Sequence, residues 1–454
     1  MFKRYVRQGA VLVLTLAAPV HAQSQALDPA FKFFRWDEDY RYLSDVEHAS
    51  VYGHLKYLEL SDTTHLSFGG GLRERVNHYQ NDLFGLRPDT DGELLLSRLL
   101  FHGNLHVNEN ARAFIELGRH YAHDAGLSPG PFDEDGLDIT QAFVDVSLSN
   151  TTLRIGRQEM SLGSTRLVGV RDGPNVRRSF DGFRLDTSWR SADLRLFALQ
   201  EVRVGEGAWN NQGNSGEEFW GIYGSVNSRL GRFDAYYLRS NRDSATYAQQ
   251  VADETRHSFG LRAFGRRGAW DWDWEVIYQN GSTAGKDIQA WTAASITGYR
   301  FDSLPWRPRI ALSTNIASGD KNLDDGSIGT FNPLYPNLMY FEEAAILAPQ
   351  NFVNLEPEVT VYPSSRLSIS FDWDFFWKAE KEDSVYVRGL RPLPGTQRSE
   401  GRFVTHVPSL SIDYRLNRHI SMDLSYSRFF AGEVIDDAGG TDVDFLKLEF
   451  RFTF

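Results

Sequence analysis

The sequence predicts an all-β fold, a transmembrane antiparallel β-barrel of about eighteen strands with short turns on one rim and long loops on the other. Three observations predict it. Apolar and polar residues alternate with period two over most of the chain, the spacing at which successive side chains leave opposite faces of a strand. Most alternating segments run about 9–12 residues, the length of a tilted strand crossing a bilayer. No apolar run of helical-span length follows the N-terminus, and the mean hydropathy is -0.41, so helical spans are excluded while a barrel is not.

The first element is read as an address. Lys3, Arg4 and Arg7 precede an apolar stretch from Val11 to Val20, and Val20-His21-Ala22 offers a cleavage site, so residues 1–22 are expected to be a secretory signal peptide. Residues 23–64 are expected to form a periplasmic N-terminal segment, and 65–454 the barrel. Strands are expected at 65–76, 96–107, 111–120, 138–148, 151–159, 179–188, 191–202, 217–226, 232–240, 256–265, 269–279, 287–300, 307–317, 351–361, 366–377, 402–414, 419–429 and 443–454.

The stretch 270–278 carries Trp270, Trp272, Trp274, Val276 and Tyr278 on one face and mostly carboxylates on the other. Leu367 to Trp377, Ile420 to Tyr426 and Leu446 to Phe454 repeat the pattern. Pro357 and Pro408 weigh against two of the strands, because proline cannot donate to the ladder. Tight turns at 108–110, 149–150, 189–190, 267–268, 363–365 and 415–418 are expected to alternate strictly with long connections that include 121–137, 160–178, 203–216, 318–350 and 378–401. Trp189, Phe233, Trp270, Trp306, Tyr414 and Phe454 fall near the short turns, and Tyr278 and Trp377 near the long loops, as two aromatic girdles require.

If the apolar stripe faces lipid, the opposite parity lines the lumen. On the first seven strands it carries Arg73, Arg75, Arg98, Arg112, Arg154, Arg184 and Arg195, against Glu116, Asp145, Asp186, Asp193 and Glu201. From the eleventh strand it is richer in acid, with Asp271, Asp273, Glu275, Glu356, Glu358, Asp372, Asp374, Asp413, Asp423 and Glu449 against Arg307, Arg309, Arg366, Arg415, Lys447 and Arg451. Neighbouring opposite charges pair across strands, and any surplus arginine attracts carboxylate or sulfate. The whole chain is acidic, with 60 Asp and Glu against 48 Lys and Arg, which removes the footprint of a general nucleic-acid binder. With no cysteine there is no disulfide, thiolate metal site or cysteine nucleophile.

No serine and histidine pair marks a hydrolase, and no cofactor is expected. Asp372 and Asp374 share a face by strand periodicity and read as pore lining. His102 and His106 lie about 13 Å apart on one strand, too far to share a metal. Asp320, Asn322 and Asp324 alternate as calcium-loop ligands do, although the loop lacks the glycine and glutamate of that motif. They are the candidate metal ligands.

Leu153-Arg154-Ile155-Gly156-Arg157-Gln158, followed by Arg166-Leu167-Val168 and the run GPNVRRSFDG from Gly173 to Gly182, resembles the alginate export family of outer-membrane proteins. So do Phe34-Arg35-Trp36-Asp37-Glu38-Asp39-Tyr40 and Ala317-Ser318-Gly319-Asp320 with Thr330 to Pro336. The resemblance implies an eighteen-stranded barrel that passes an anionic polyuronate through an arginine-rich constriction partly covered by loops. It implies site roles for Arg154, Arg157, Arg177 and Arg178. Thr140 departs from it, standing where the alginate exporter carries an arginine. By parity Arg157 faces lipid, so either it sits above the apolar band or a bulge shifts the register.

The expected function is a passive channel of the bacterial outer membrane for an anionic polysaccharide or oligosaccharide or another small anion. Its expected partners are outer-membrane lipid and lipopolysaccharide, with periplasmic export partners unidentified. The alternatives are an uptake porin for small solutes, an outer-membrane hydrolase and a secreted carbohydrate-binding protein. Residues 318–350, stiffened by Pro333 and Pro336, are expected to fold over or into the pore and gate it.

Overall fold

Period-two alternation becomes eighteen barrel strands in the computed structural model, which describes residues 31–44, 51–205, 207–340 and 342–454. The expected signal peptide lies outside the described residues. The strands are β1 (Thr64–Gln80), β2 (Gly92–His106), β3 (Ala111–Ala125), β4 (Asp135–Leu148), β5 (Thr151–Gln158), β6 (Phe180–Trp189), β7 (Ala192–Arg203), β8 (Glu217–Ser228) and β9 (Gly231–Thr246). They continue as β10 (Val251–Arg267), β11 (Trp270–Thr283), β12 (Lys286–Arg300), β13 (Arg309–Ala317), β14 (Phe352–Ser364), β15 (Leu367–Lys378), β16 (Phe403–Arg415), β17 (Ile420–Ala431) and β18 (Val443–Thr453). Each pairs antiparallel with the next, and β18 closes on β1 from Gly71↔Thr453 to Gln80↔Asp444. Closure leaves no free edge, as a strand structure in hydrocarbon requires.

Burial is inverted relative to a soluble protein. Leu99 is 53% exposed and its neighbour Arg98 4%. Phe101, Ile115, Val144, Phe183, Leu261, Val276, Leu312, Phe371 and Leu448 are likewise exposed on the outer face. Such a continuous apolar surface is stable only against lipid. Pro357 and Pro408 both sit within strands, on that outer face. Trp373 pairs with Pro408, and the unbroken register of β14 with β15 puts Pro357 on its other side. The missing donors cost two ladder bonds without breaking register.

The alternation of short and long connections is less strict than the sequence predicts. On the long-loop rim β11 and β12 join through Ala284 and Gly285 alone, both at positive φ (48° and 79°), as a two-residue hairpin of the primed type demands. On the other rim β12 and β13 are joined by the longer segment 301–308.

A second core fills the long-loop end from inside. Phe84 of loop 81–91, Met160 and Val168 of 159–179, Leu334, Tyr335 and Ile346 of 318–351, Val387 and Leu393 of 379–402, and Ile435 of 432–442 are all buried in one cluster. Inward-facing Phe180, Phe219 and Phe429 complete it. At the short-turn end the N-terminal residues supply the filling. Trp36 packs edge-on against Phe114 of β3 and Phe143 of β4, with Phe34 stacked on it at 4.5 Å.

Candidate functional site

The inner wall formed by β18, β1 and β2 carries a guanidinium cluster, and loop 159–179 lies against it. Arg98 donates to Asp172 Oδ1 at 2.6 Å and to the carbonyls of Pro174 and Asn175, each at 2.7 Å. Arg73 donates to the Asp172 carbonyl at 2.6 Å and to Asn175 Oδ1 at 3.1 Å. Arg75 reaches the Gly173 carbonyl at 2.6 Å and Glu449 at 2.7 Å. A buried loop carbonyl outside any ladder needs a donor, and the planar five-donor guanidinium supplies several at once. Asn175 anchors the same segment by donating to the Ser97, Tyr121 and Asp133 carbonyls.

Burial alone would raise the Asp172 carboxyl, but the guanidiniums of Arg98, Arg451, Arg177 and Arg73 outweigh it and hold the group well below the usual carboxylate range. Asp172 therefore stays ionised inside the barrel. The sequence reading missed it because a loop carboxylate has no strand parity to mark it. The signal available was Asp172-Gly173-Pro174-Asn175 itself, a run rich in acceptors facing a wall of predicted arginines.

Further round the wall, Arg154 grips Asp145 bidentately at 2.7 and 2.9 Å, and Arg112 bonds the same carboxylate at 2.5 Å. Arg184 and Arg195 share Asp186 at 2.7 and 2.5 Å. The Arg154 guanidinium also stacks on Phe143 at 3.7 Å and on Trp36 at 4.7 Å. Arg112 donates to the Trp36 carbonyl, so the N-terminal segment is tied to the predicted basic lining by both backbone and ring.

Arg177 and Arg178 lie in loop 159–179 itself. Arg177 pairs with Glu159 at 2.9 Å and lies over the Phe33 ring at 4.6 Å. Arg178 bonds Glu201 at 2.7 Å and reaches the carbonyls of Gly169 and Pro336, joining loop 159–179 to loop 318–351. These loops also pair by backbone, the Gly169 amide donating to the Tyr335 carbonyl and the Tyr335 amide to the Leu167 carbonyl, both at 2.8 Å. Tyr335 is fully buried against Phe180 and Phe219. Arg256 of β10, also fully buried, helps fix loop 318–351 through the Thr330 carbonyl and through Gln279, which bonds Asn332. That loop therefore folds into the barrel.

Two groups of predicted residues lie elsewhere. Arg157 keeps outward parity near the long-loop rim, pairs with Asp181 at 2.8 Å and donates to the Asn211 carbonyl of loop 204–216. No bulge shifts β5 against β4 or β6 there. Asp320, Asn322 and Asp324 are each engaged by other groups of the protein. Asp320 accepts from Gln249 at 2.6 Å and from the Asn322 amide, Asn322 accepts the Asp324 amide, and Asp324 pairs with Arg398 at 2.5 Å.

The charge is unevenly shared. Around Asp172, Glu449 and Glu159 stand five guanidiniums, those of Arg73, Arg75, Arg98, Arg177 and Arg451, a surplus of two. Arg112, Arg154, Arg184 and Arg195 pair with Asp145 and Asp186, and Glu116 of β3 and Asp193 of β7 stand on the same wall. The other wall is acidic, where Arg309 pairs with both Asp271 and Glu358, and at its border Lys447 of β18 pairs with Asp423 of β17 and with Glu343. The lumen thus has a basic side on β18 to β7 and an acidic side on β11 to β17.

A family model described as alginate export matches residues 64–448. Among solved structures, OccAB3 of Acinetobacter baumannii shares 12% identity at a TM-score of 0.59, over 86% of this chain and 99% of that one. OpdQ of Pseudomonas aeruginosa shares 12% at 0.58 over 87% and 99%, and OccK3 (OpdO) of the same organism 11% at 0.58 over 86% and 95%. At such identities the likeness is one of fold. No curated protein matches the chain. The matched family and folds are of the channel type. Because the family match spans nearly the whole barrel, including both motif-bearing loops, this chain belongs to the alginate export family.

Proposed function

We propose that the chain is a passive channel of the bacterial outer membrane for small solutes bearing carboxylates, short saccharide acids among them. The observation that carries this is the sharing of five carboxylates, Asp172, Glu449, Glu159, Asp145 and Asp186, by nine guanidiniums on the basic side of the lumen, beside loop 159–179. Guanidinium binds carboxylate bidentately, and a narrow low-dielectric pathway focuses its field. Loops 159–179 and 318–351, packed inside the barrel, favour a small solute over a long polymer in this loop arrangement. Export of a whole polyuronate is the second reading, favoured by membership of the alginate export family.

Reversal potentials in planar bilayers under a potassium chloride gradient test the charge argument, with anion preference expected. Cation preference would sink it. Swelling of channel-bearing liposomes in a uronate monomer but not in its polymer separates small-solute from polymer passage. Lipid and lipopolysaccharide are the partners proposed for the exposed apolar band.

A further inference from the structure

The acidic side of the lumen holds a group of carboxylates that the charge pairing above leaves out. Glu358 of β14 stands opposite Asp372 of β15, and the same unbroken register puts Glu356 opposite Asp374. Like charges directly opposite each other repel. Arg309 relieves Glu358 at 3.3 Å. No ion pair among the described residues reaches Glu356, Asp372 or Asp374, yet one carboxylate oxygen from each lies within 4.8 Å of the other two.

Asp374 adds an independent observation. Its side chain is fully buried, the Asn354 amide donates to Oδ1 at 2.6 Å, and Oδ2 has no hydrogen-bond partner. Asn354 is itself held by the Asn315 amide at 2.8 Å, so the aspartate is fixed in place. Its free oxygen belongs to a group of three carboxylates that only neutral donors reach, Asn354 at Asp374, Ser313 at Glu356 and Ser409 at Asp372. A buried carboxylate oxygen left without a partner is costly, and a bound cation would complete it.

We propose that Glu356, Asp372 and Asp374 bind a divalent cation, calcium, on the inner wall of the barrel. The ligands are all oxygen, which selects a hard cation. Calcium takes oxygens at about 2.3–2.6 Å, so two of its ligands lie at most about 5 Å apart, and the 4.8 Å limit on every separation falls inside that range. Magnesium demands about 2.0–2.1 Å and a near-ideal octahedron, and it usually binds through one or two carboxylates with several waters, so a group of three carboxylates favours calcium. Ser313 of β13 and Ser409 of β16, in register with Glu356 and Asp372, place two further oxygens beside the trio. Bound calcium reduces the formal charge of the three carboxylates from -3 to -1, easing the passage of anions along this wall. The binding itself does not depend on what the channel carries.

The test is calorimetric titration of calcium chloride into the chelator-washed full chain, folded in detergent without lipopolysaccharide. One saturable site is expected, with magnesium at least tenfold weaker. Asp374→Asn and Glu356→Gln should lose at least tenfold in affinity, while Asp324→Asn in the 318–351 loop should match wild type. Absence of saturable binding in the wild type, or tight binding retained by folded Asp374→Asn, overturns the proposal. Anomalous diffraction from wild-type crystals grown with calcium gives a check that needs no variant. A peak among the three carboxylates supports the site, and a calcium peak only elsewhere overturns it.

Discussion

Arg98 spreads one guanidinium over the side chain of Asp172 and the carbonyls of Pro174 and Asn175, so one residue supplies three of the anchors that hold loop 159–179 on the wall. Removing one partner of a buried pair typically costs about 3–5 kcal/mol. Arg98→Ala should therefore raise open-channel current noise and mean conductance in bilayer recordings. Arg98→Lys should not restore them, since an ammonium presents its donors from one tetrahedral nitrogen and lacks the planar fork that spans these acceptors.

Glu342, in loop 318–351, makes a pH-dependent prediction. Burial pushes its carboxyl up to about 8, against the amides of Leu347 and Ile346 that lower it. Its value in the undocked loop is about 4.3. The docked loop thus binds the proton more tightly, and docking is fully stable below about 4.3 and weakens as pH rises through about 8. More frequent gating transitions are expected at pH 9 than at pH 6. Glu342→Gln should flatten the dependence, and a wild-type channel equally quiet at both pH values would refute the assignment.

Among the elements, the N-terminal segment and loop 318–351 narrow the lumen from opposite ends. Trp36 sits 3% exposed between Phe114, Phe143 and the Arg154 guanidinium. Truncating a buried tryptophan costs about 3–5 kcal/mol, enough to release so short a segment while the barrel stays closed. Trp36→Ala should raise conductance and expose residues 31–44 to protease without changing heat-modifiable migration on a denaturing gel. Deletion of residues 326–346 should raise conductance further, because it removes Tyr335 and with it the backbone pairing to loop 159–179. Unchanged conductance would mean that neither element narrows the path.

For the whole molecule the testable property is the field between the two walls. Arg154→Ala and Arg195→Ala should each reduce anion preference, and raising the salt should weaken the wild-type preference as the screening length shortens from about 10 Å at 0.1 M. Neutralising the acidic side should act in the opposite sense. The barrel itself should partition into membranes, and a folded monomer stable without detergent would contradict the lipid-facing assignment of Leu99, Phe101 and Leu261.

By itself the sequence determined the barrel, its eighteen strands and the parity of nearly every wall residue. The reason is local: lipid outside and water inside sort successive side chains one at a time, so Trp270 to Tyr278 declares its own two faces. Even Arg157 was legible as outward by parity, although only the structure shows Asn211 of loop 204–216 covering it. The tertiary structure decided what the inward arginines touch. Arg73 and Arg98 are separated from Asp172 and Pro174 by more than seventy residues, and their meeting depends on a loop turning inward, which no periodicity encodes. The same holds for the trio Glu356, Asp372 and Asp374, whose parity the sequence shows but whose register comes only from strand pairing across the closed sheet.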